Sequence, residues 1–250
     1  MKKYIPSGLT LLNLLCGSIA VLYVVNNNYV GAAQFVFLGI LLDFFDGFAA
    51  RKLKVTSEFG LQLDSLADMV TSGIVPGLVM YKMLALTTNN SFFQDVFPQW
   101  GSNVKLSGFE VEWLPLLGFS ITLASAVRLA RFNLDDEQQN FFKGLPTPAN
   151  NLLIISLPLI LEFQENDNIN AIILNKGFLI VITLLSSFLL NANMKLFALK
   201  FKNYAFKGNE VRYIFLILSL IMIIVLQFAA IPVIIFMYLG LSALDQKKIS

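Results

Sequence analysis

The chain contains no histidine and a single cysteine among its 250 residues, and only 14% of those residues are charged. The first absence removes imidazole both as a metal ligand and as an acid–base group. Any proton acceptor must then be a carboxylate, a lysine, a tyrosine or water. The second excludes an intramolecular disulfide, and Cys16 falls inside the first apolar run, where it reads as a small packing residue. Charge of one sign is lacking too. Eighteen basic against sixteen acidic side chains leave a formal +2, with no global field suited to nucleic acid. What the chain has in abundance is apolar surface, with 56% hydrophobic residues and a mean hydropathy of +0.70. A soluble domain of this size does not need so much, so the composition indicates a polytopic membrane protein. The N-terminal MKKYIPSGLTLL puts two lysines before an apolar run, but no small-residue cleavage site follows, and it is read as a retained first span.

Hydrophobic runs of the roughly 20 residues needed to span a bilayer fall at about 7–26, 30–52, 58–87, 112–133, 147–162, 171–191, 211–228 and 230–244. The expectation is an all-α bundle of about eight transmembrane helices. The third run is too long for one vertical span, and Gly73 and Pro76 mark a kink within it. With the N-terminus placed inside, fifteen of the eighteen lysines and arginines fall in inside segments, leaving only Lys82, Lys105 and Lys176 outside. That asymmetry predicts an N-in, C-in topology. Segment 88–111 becomes an outer loop and segment 134–146, with Asp135, Asp136 and Glu137, a cytoplasmic connection. Segment 194–210 alternates bulky apolar residues with lysine. It reads either as lying along the inner leaflet or as a solvated basic loop. No repeat or linker divides the chain, so one domain is expected over 1–250, with a core at about 1–192 and two further helices at about 211–244.

Against this background one stretch stands out. Asp43 and Asp46 are spaced i, i+3, and Asp64 and Asp68 i, i+4, so each pair shares a helical face. The short connection from Arg51 to Glu58 makes the two helices antiparallel neighbours, so the pairs can meet. Ionisable groups inside membrane segments are rare and usually functional. Four converging carboxylates repel unless cations intervene, and two Mg²⁺ or Mn²⁺ ions would relieve that repulsion and form a clamp for phosphoryl displacement. Gly47, Ala50 and Gly60 are small enough to let a phosphate or nucleotide approach the backbone, and Arg51 is placed to meet phosphate oxygens. The competing readings are structural salt bridges and an ion or proton pathway. A pathway calls for acids spread through the membrane depth, whereas here they cluster at one end.

The full spacing, Asp-x2-Asp-Gly-x2-Ala-Arg-x8-Gly-x3-Asp-x3-Asp, covers 26 residues with every defined position filled. In this the chain resembles the CDP-alcohol phosphotransferase family of integral membrane enzymes, whose multi-helix layout agrees over about the first 190 residues. The resemblance implies that Asp43, Asp46 and Asp64 ligate metal, with Asp68 a ligand or near-ligand that also serves as general base. It implies further that Gly47, Ala50, Arg51 and Gly60 hold the CDP part of the donor, and that the protein is a homodimer.

Two further constellations carry both a bland and a functional reading. Thr10, Asn13 and Gly17 form a polar-to-small stripe at i, i+3, i+7, which on spacing alone suits helix packing; the resemblance adds Thr10 and Asn13 as nucleotide contacts. Arg128 and Arg131 end the fourth span and are followed by Asn133 and by Gly144-Leu145-Pro146-Thr147-Pro148. The arginines read either as anchors snorkelling to headgroups or as a clamp for carboxylate or phosphate. RLARFN followed by GLPTP looks like the phosphatidylserine synthase branch of the family. That resemblance implies transfer of a phosphatidyl group from CDP-diacylglycerol to L-serine at the cytoplasmic side of the cell membrane. Arg128, Arg131 and Asn133 would then lie on the acceptor or phosphate side. Glycerol 3-phosphate and inositol are the alternative acceptors, and an ion or proton transporter is the reading from another class.

Overall fold

The computed structural model describes residues 4–88, 113–134, 142–196 and 210–246. Lys2, Lys3, Lys105, Lys247 and Lys248, the acidic residues 135–137, most of the outer loop at 88–111 and most of the basic segment at 194–210 lie outside the described residues.

Helix α1 (Tyr4–Val25) and helix α2 (Tyr29–Leu53) form an antiparallel pair. The turn between them closes because Asn27 adopts φ 59° and the Asn28 side chain caps α2 by accepting from the Gly31 N–H at 2.8 Å. Ala20, Ala32, Ala33 and Gly31 let the backbones come close. A short connection at 54–57 then reverses the chain. Lys54 takes the left-handed conformation, its N–H bonded back to the Ala50 and Arg51 carbonyls, and Ser57 caps the next helix by accepting from Gly60 N–H.

The run expected to kink at Gly73 and Pro76 is continuous from Glu58 to Leu86, but its register changes. Helix α3 (Glu58–Asp68) passes into a π-helical turn, Met69–Ile74, and then into α4 (Val75–Leu86). The short α5 (Trp113–Leu116) and α6 (Phe119–Leu134) follow, then α7 (Thr147–Phe163), α8 (Asp167–Ile173) and α9 (Lys176–Asn191). Helices α8 and α9 meet at a 61° bend. The buried core of this part is aliphatic, with Val36, Val79, Met80, Leu84, Ile121, Ile154 and Leu179 at its centre.

The C-terminal stretch is α10 (Glu210–Leu226), a 3-10 turn at Gln227–Ala229 and α11 (Ala230–Gln246). Gln227 has φ 50°, and the chain reverses there. The Phe215 and Tyr238 rings lie 5.7 Å apart, whereas 23 residues of straight helix would separate them by about 35 Å. The hairpin packs on α7, its turn joined through Gln164 Nε2 donating to the Leu226 carbonyl at 2.6 Å and Phe163 stacked on Phe228.

Among the described residues the fold is helical throughout, apart from one two-residue antiparallel pair, β1 (Phe142–Lys143) with β2 (Lys195–Leu196). Five helical stretches are long and apolar enough to cross a membrane, or six if the bent α8–α9 pair is one span. The stretch Arg212–Ser242 is one of those five and contains the hairpin, and α7 is a shorter apolar helix of 17 residues. The coarse architecture is therefore that of a multi-pass helical membrane protein.

Candidate active site and metal centre

The C-terminal half of α2 and the C-terminal half of α3 deliver the acidic residues. One oxygen each from Asp43, Asp46 and Asp64 lies within 4.8 Å of the others. Asp46 is the most deeply set, at 6% exposure. Its Oδ2 accepts from Thr10 Oγ1 at 2.6 Å, and the same hydroxyl lies 3.0 Å from the Pro6 carbonyl. One hydrogen faces two acceptors, and the shorter contact is the charge-assisted one. Asp64 Oδ1 is buried without a hydrogen-bond partner. An acceptor-only oxygen buried that way is costly unless something electropositive meets it.

These residues fit a divalent cation. The donors are all hard oxygens, the lone pair on Asp64 lacks a protein partner, and the cluster is close to the ~4.2 Å that opposite ligands on an ion with ~2.1 Å bonds require. Asp68 stands outside that three-oxygen group. It sits one turn beyond Asp64, where its Oδ1 accepts from Asn13 Nδ2 at 3.4 Å and Arg128 is within electrostatic reach. Asp68 thus stands beside the group, within electrostatic reach of Asp43, Asp46 and Asp64, without adding an oxygen to its three mutually close ones.

A cleft of about 450 Å³ opens beside the cluster, lined by Thr10, Asp46, Gly47, Ala50, Arg51, Gly60 and Asp64 among others. That volume is ordinary for a small-molecule site. Arg51 is exposed and folds back along its own helix, so that a Cβ on Gly47 would stand 3.4 Å from Arg51 Nη1. Gly60 has a second reason to be small, because a Cβ there would lie 3.2 Å from the capping Ser57 Oγ. Asn13, expected with Thr10 as a nucleotide contact, is not on the cleft wall. It is 0% exposed, and both ends of its amide are engaged inside the bundle, with Asp68 and Thr71. The stripe on α1 therefore has two functions at once, with Thr10 at the cleft and Asn13 behind it.

The acceptor-side residues are also divided. Arg128 is 8% exposed with its Nε unpaired, whereas Arg131, one turn on, is exposed. Asn133 ties α6 to α3: its Oδ1 accepts from Ser65 Oγ at 3.1 Å and its Nδ2 donates to Gln62 Oε1 at 3.2 Å. Ser65, Gln62, Thr71 and Asn151 are polar residues around the site that the sequence reading passed over. An Asn150-Asn151 pair within an apolar run was the available signal, since amides inside membrane helices seldom lack a partner.

The sequence that builds this bundle has known relatives. The family model for CDP-alcohol phosphatidyltransferases matches residues 3–192, and the chain belongs to that family. It is accordingly a transferase of phospholipid biosynthesis with several membrane-spanning helices, and the match ends with α9, short of the C-terminal hairpin.

Within the family, the chain is similar to proteins named CDP-diacylglycerol–serine O-phosphatidyltransferase. It is 32% identical over 174 residues to the one from Bacillus subtilis, which covers 68% of this chain and 81% of that relative. It is 28% identical over 170 residues to the one from Methanocaldococcus jannaschii, with 68% of each chain covered. Against the Mycobacterium bovis relative it is 30% identical over 171 residues, and there it spans about half the relative's length, 52%.

Proposed function

We propose that the chain transfers the phosphatidyl group of CDP-diacylglycerol to the hydroxyl of L-serine, giving phosphatidylserine and CMP, at the cytoplasmic face of the cell membrane. The observation that carries this reading is the group of Asp43, Asp46 and Asp64 at a cleft edge, with Asp68 and Arg128 beside it rather than in it. The similarity to serine O-phosphatidyltransferases supports the acceptor.

Asp43, Asp46 and Asp64 would hold Mg²⁺ or Mn²⁺, as one of a pair of positions offered by the four carboxylates. The metal, when bound, supplies neutralisation of the pyrophosphate oxygens and of the departing phosphate. The chain's own groups do the rest. Thr10 fixes the rotamer of Asp46. Gly47, Ala50 and Gly60 leave room for the nucleotide against the backbone, and Arg51 meets its phosphates. Asp68 takes the proton from the serine hydroxyl as the new O–P bond forms and the P–O bond to CMP breaks. Arg128, buried with an unpaired Nε, meets the serine carboxylate, while exposed Arg131 faces headgroups and Asn133 holds α6 in register with α3. The acyl chains stay in the inner leaflet, eight spans run from an inside N-terminus to an inside C-terminus, and the protein works as a homodimer.

The test is headgroup exchange with the purified protein, CDP-diacylglycerol and Mn²⁺ or Mg²⁺, offering serine, glycerol 3-phosphate or inositol. CMP release should depend on serine. Release that ignores serine and requires another alcohol would overturn the acceptor while sparing the family.

A further inference from the structure

Asp68 is met by a side chain that is itself held in place. Asn13 Nδ2 donates to Asp68 Oδ1 at 3.4 Å, and Asn13 Oδ1 accepts from Thr71 Oγ1 at 2.9 Å. A carboxylate only accepts, so the amide must turn its NH₂ end toward Asp68. Its oxygen is then left to find a donor in an interior where Asn13 is 0% and Thr71 1% exposed. Thr71 supplies that donor. The socket around it is cut to size on two helices. A Cβ on Gly17 would stand 2.3 Å from Thr71 Oγ1, and one on Gly39 would stand 2.9 Å from Thr71 Cγ2 and 2.8 Å from Asn13 Oδ1.

Thr71 reaches this socket because it lies in the π turn, three residues past Asp68. The Val75 N–H bonds to the Val70 carbonyl in π register. The next donor in that register would be the N–H of residue 76, which is proline and has none. The Thr71 carbonyl is thereby left without a partner in its own helix, and Asn151 Nδ2 from α7 donates to it at 2.8 Å. The widened turn, the proline that sustains it and the amide that satisfies it all fix one hydroxyl.

We propose that Thr71 is a positioning residue for the transfer reaction, holding the Asn13 amide so that its NH₂ end keeps the Asp68 carboxylate aimed at the acceptor hydroxyl. This rests on the reading of Asp68 as the proton acceptor. A misplacement of about 1 Å at a reacting group can cost about 100-fold in rate. Thr71→Val, which keeps the shape and removes the hydroxyl, should lower kcat about 10- to 100-fold with KM for CDP-diacylglycerol within about twofold. Thr71→Ser restores the hydroxyl and should return kcat to within a few-fold of the parent chain.

Asn13→Asp offers an independent test that does not depend on the fold tolerating valine. It keeps the side chain's shape and turns a second carboxylate toward Asp68, so kcat should fall at least as far. The measurement is initial-rate CMP release in detergent, with melting temperatures of all variants taken beside it. Equal losses in Thr71→Val and Thr71→Ser, a change confined to KM, or an Asn13→Asp variant at the parent rate would each overturn the proposal. Asp68→Asn separates the two layers of the argument. It should abolish turnover while metal-dependent CDP binding persists. If Asp68→Asn turns over normally, the proton-acceptor reading fails and takes this proposal with it. If it is dead while Thr71→Val is fully active, this proposal alone fails.

Discussion

Thr10 stands between two helices and contributes to both, closing α1 onto α2 through a 2.6 Å bond to a carboxylate in the acidic cluster. A hydrogen bond to a charged group in a buried setting contributes about 1.5–3 kcal/mol, and partners that orient metal-binding carboxylates affect metal affinity by about 10- to 100-fold. Thr10→Val should therefore raise the Mg²⁺ or Mn²⁺ concentration that half-saturates CDP binding by about 10-fold or more, and lower the melting temperature by several degrees. Isothermal titration with CDP across a metal series measures it, and an unchanged midpoint would show that Asp46 needs no help from α1. Much at this scale was legible in the sequence. The spacing of Asp43, Asp46 and Asp64 on paired helices predicted their convergence, and the i, i+3 spacing predicted Thr10 and Asn13 on one face of α1. The nucleotide-contact expectation for Asn13 came from the family resemblance, whereas the packing face that spacing alone suggested suits its place behind Asp68; periodicity places residues on a face but gives no depth along it. The same blindness applies to Arg128 and Arg131. They share a face and a charge, and only the packing of α6 decides that one is buried beside Asp68 and the other exposed.

Among the elements, the loop 144–148 shows how a recognisable motif can be structural first. Gly144 adopts φ +75°, its N–H donates to the Met194 carbonyl at 3.0 Å, and Leu145 N–H donates to the Leu189 carbonyl at 2.9 Å. The loop thus satisfies carbonyls at and just beyond the C-terminal end of α9, a region that otherwise leaves them unpartnered, and Pro146 hands the chain on to α7. A Cβ on Gly144 would stand 2.6 Å from the Leu190 carbonyl oxygen. Gly144→Ala combines a left-handed backbone with that collision. It should destabilise the protein by about 1–3 kcal/mol, read as a lowered midpoint in thermal unfolding in detergent. Because β1 and β2 lie next to this loop, chain adjoining α7 and α9 should loosen together. The sequence announced GLPTP as a signature but could not announce its target, since the carbonyls it caps lie some forty-five residues later. The π turn was hidden for a related reason. Gly73 and Pro76 marked the place, and there the helix widens its register without breaking, because Asn151 from another helix satisfies the carbonyl that a proline leaves open.

At the scale of the whole molecule, polar chemistry is concentrated at one end of a bundle whose outer faces are lined with exposed Leu, Ile, Val and Phe side chains. The hydrophobic runs and the family pattern made this legible in advance, and the reversal at Gln227 falls at the break between the runs at about 211–228 and 230–244. The direction in which the bundle crosses the membrane rests on the bias of lysine and arginine toward one set of connections, and it yields the most direct global test. Asn26 and Lys52 are exposed residues near opposite ends of α2, separated by a helix of about 37 Å, so they belong on opposite sides of a bilayer. Cys16 is the only cysteine and is buried, so the native background for thiol labelling is low. With an impermeant maleimide applied to intact spheroplasts, Asn26→Cys should label at once and Lys52→Cys only after permeabilisation. The reverse pattern would turn the bundle over. It would put the aspartates, Arg51 and the cleft on the outer face, away from a cytosolic supply of nucleotide-activated lipid and serine. Neither Asn26 nor Lys52 lines the cleft, so CMP release should persist, and a reversed pattern in an active protein would count against the orientation and not against the chemistry.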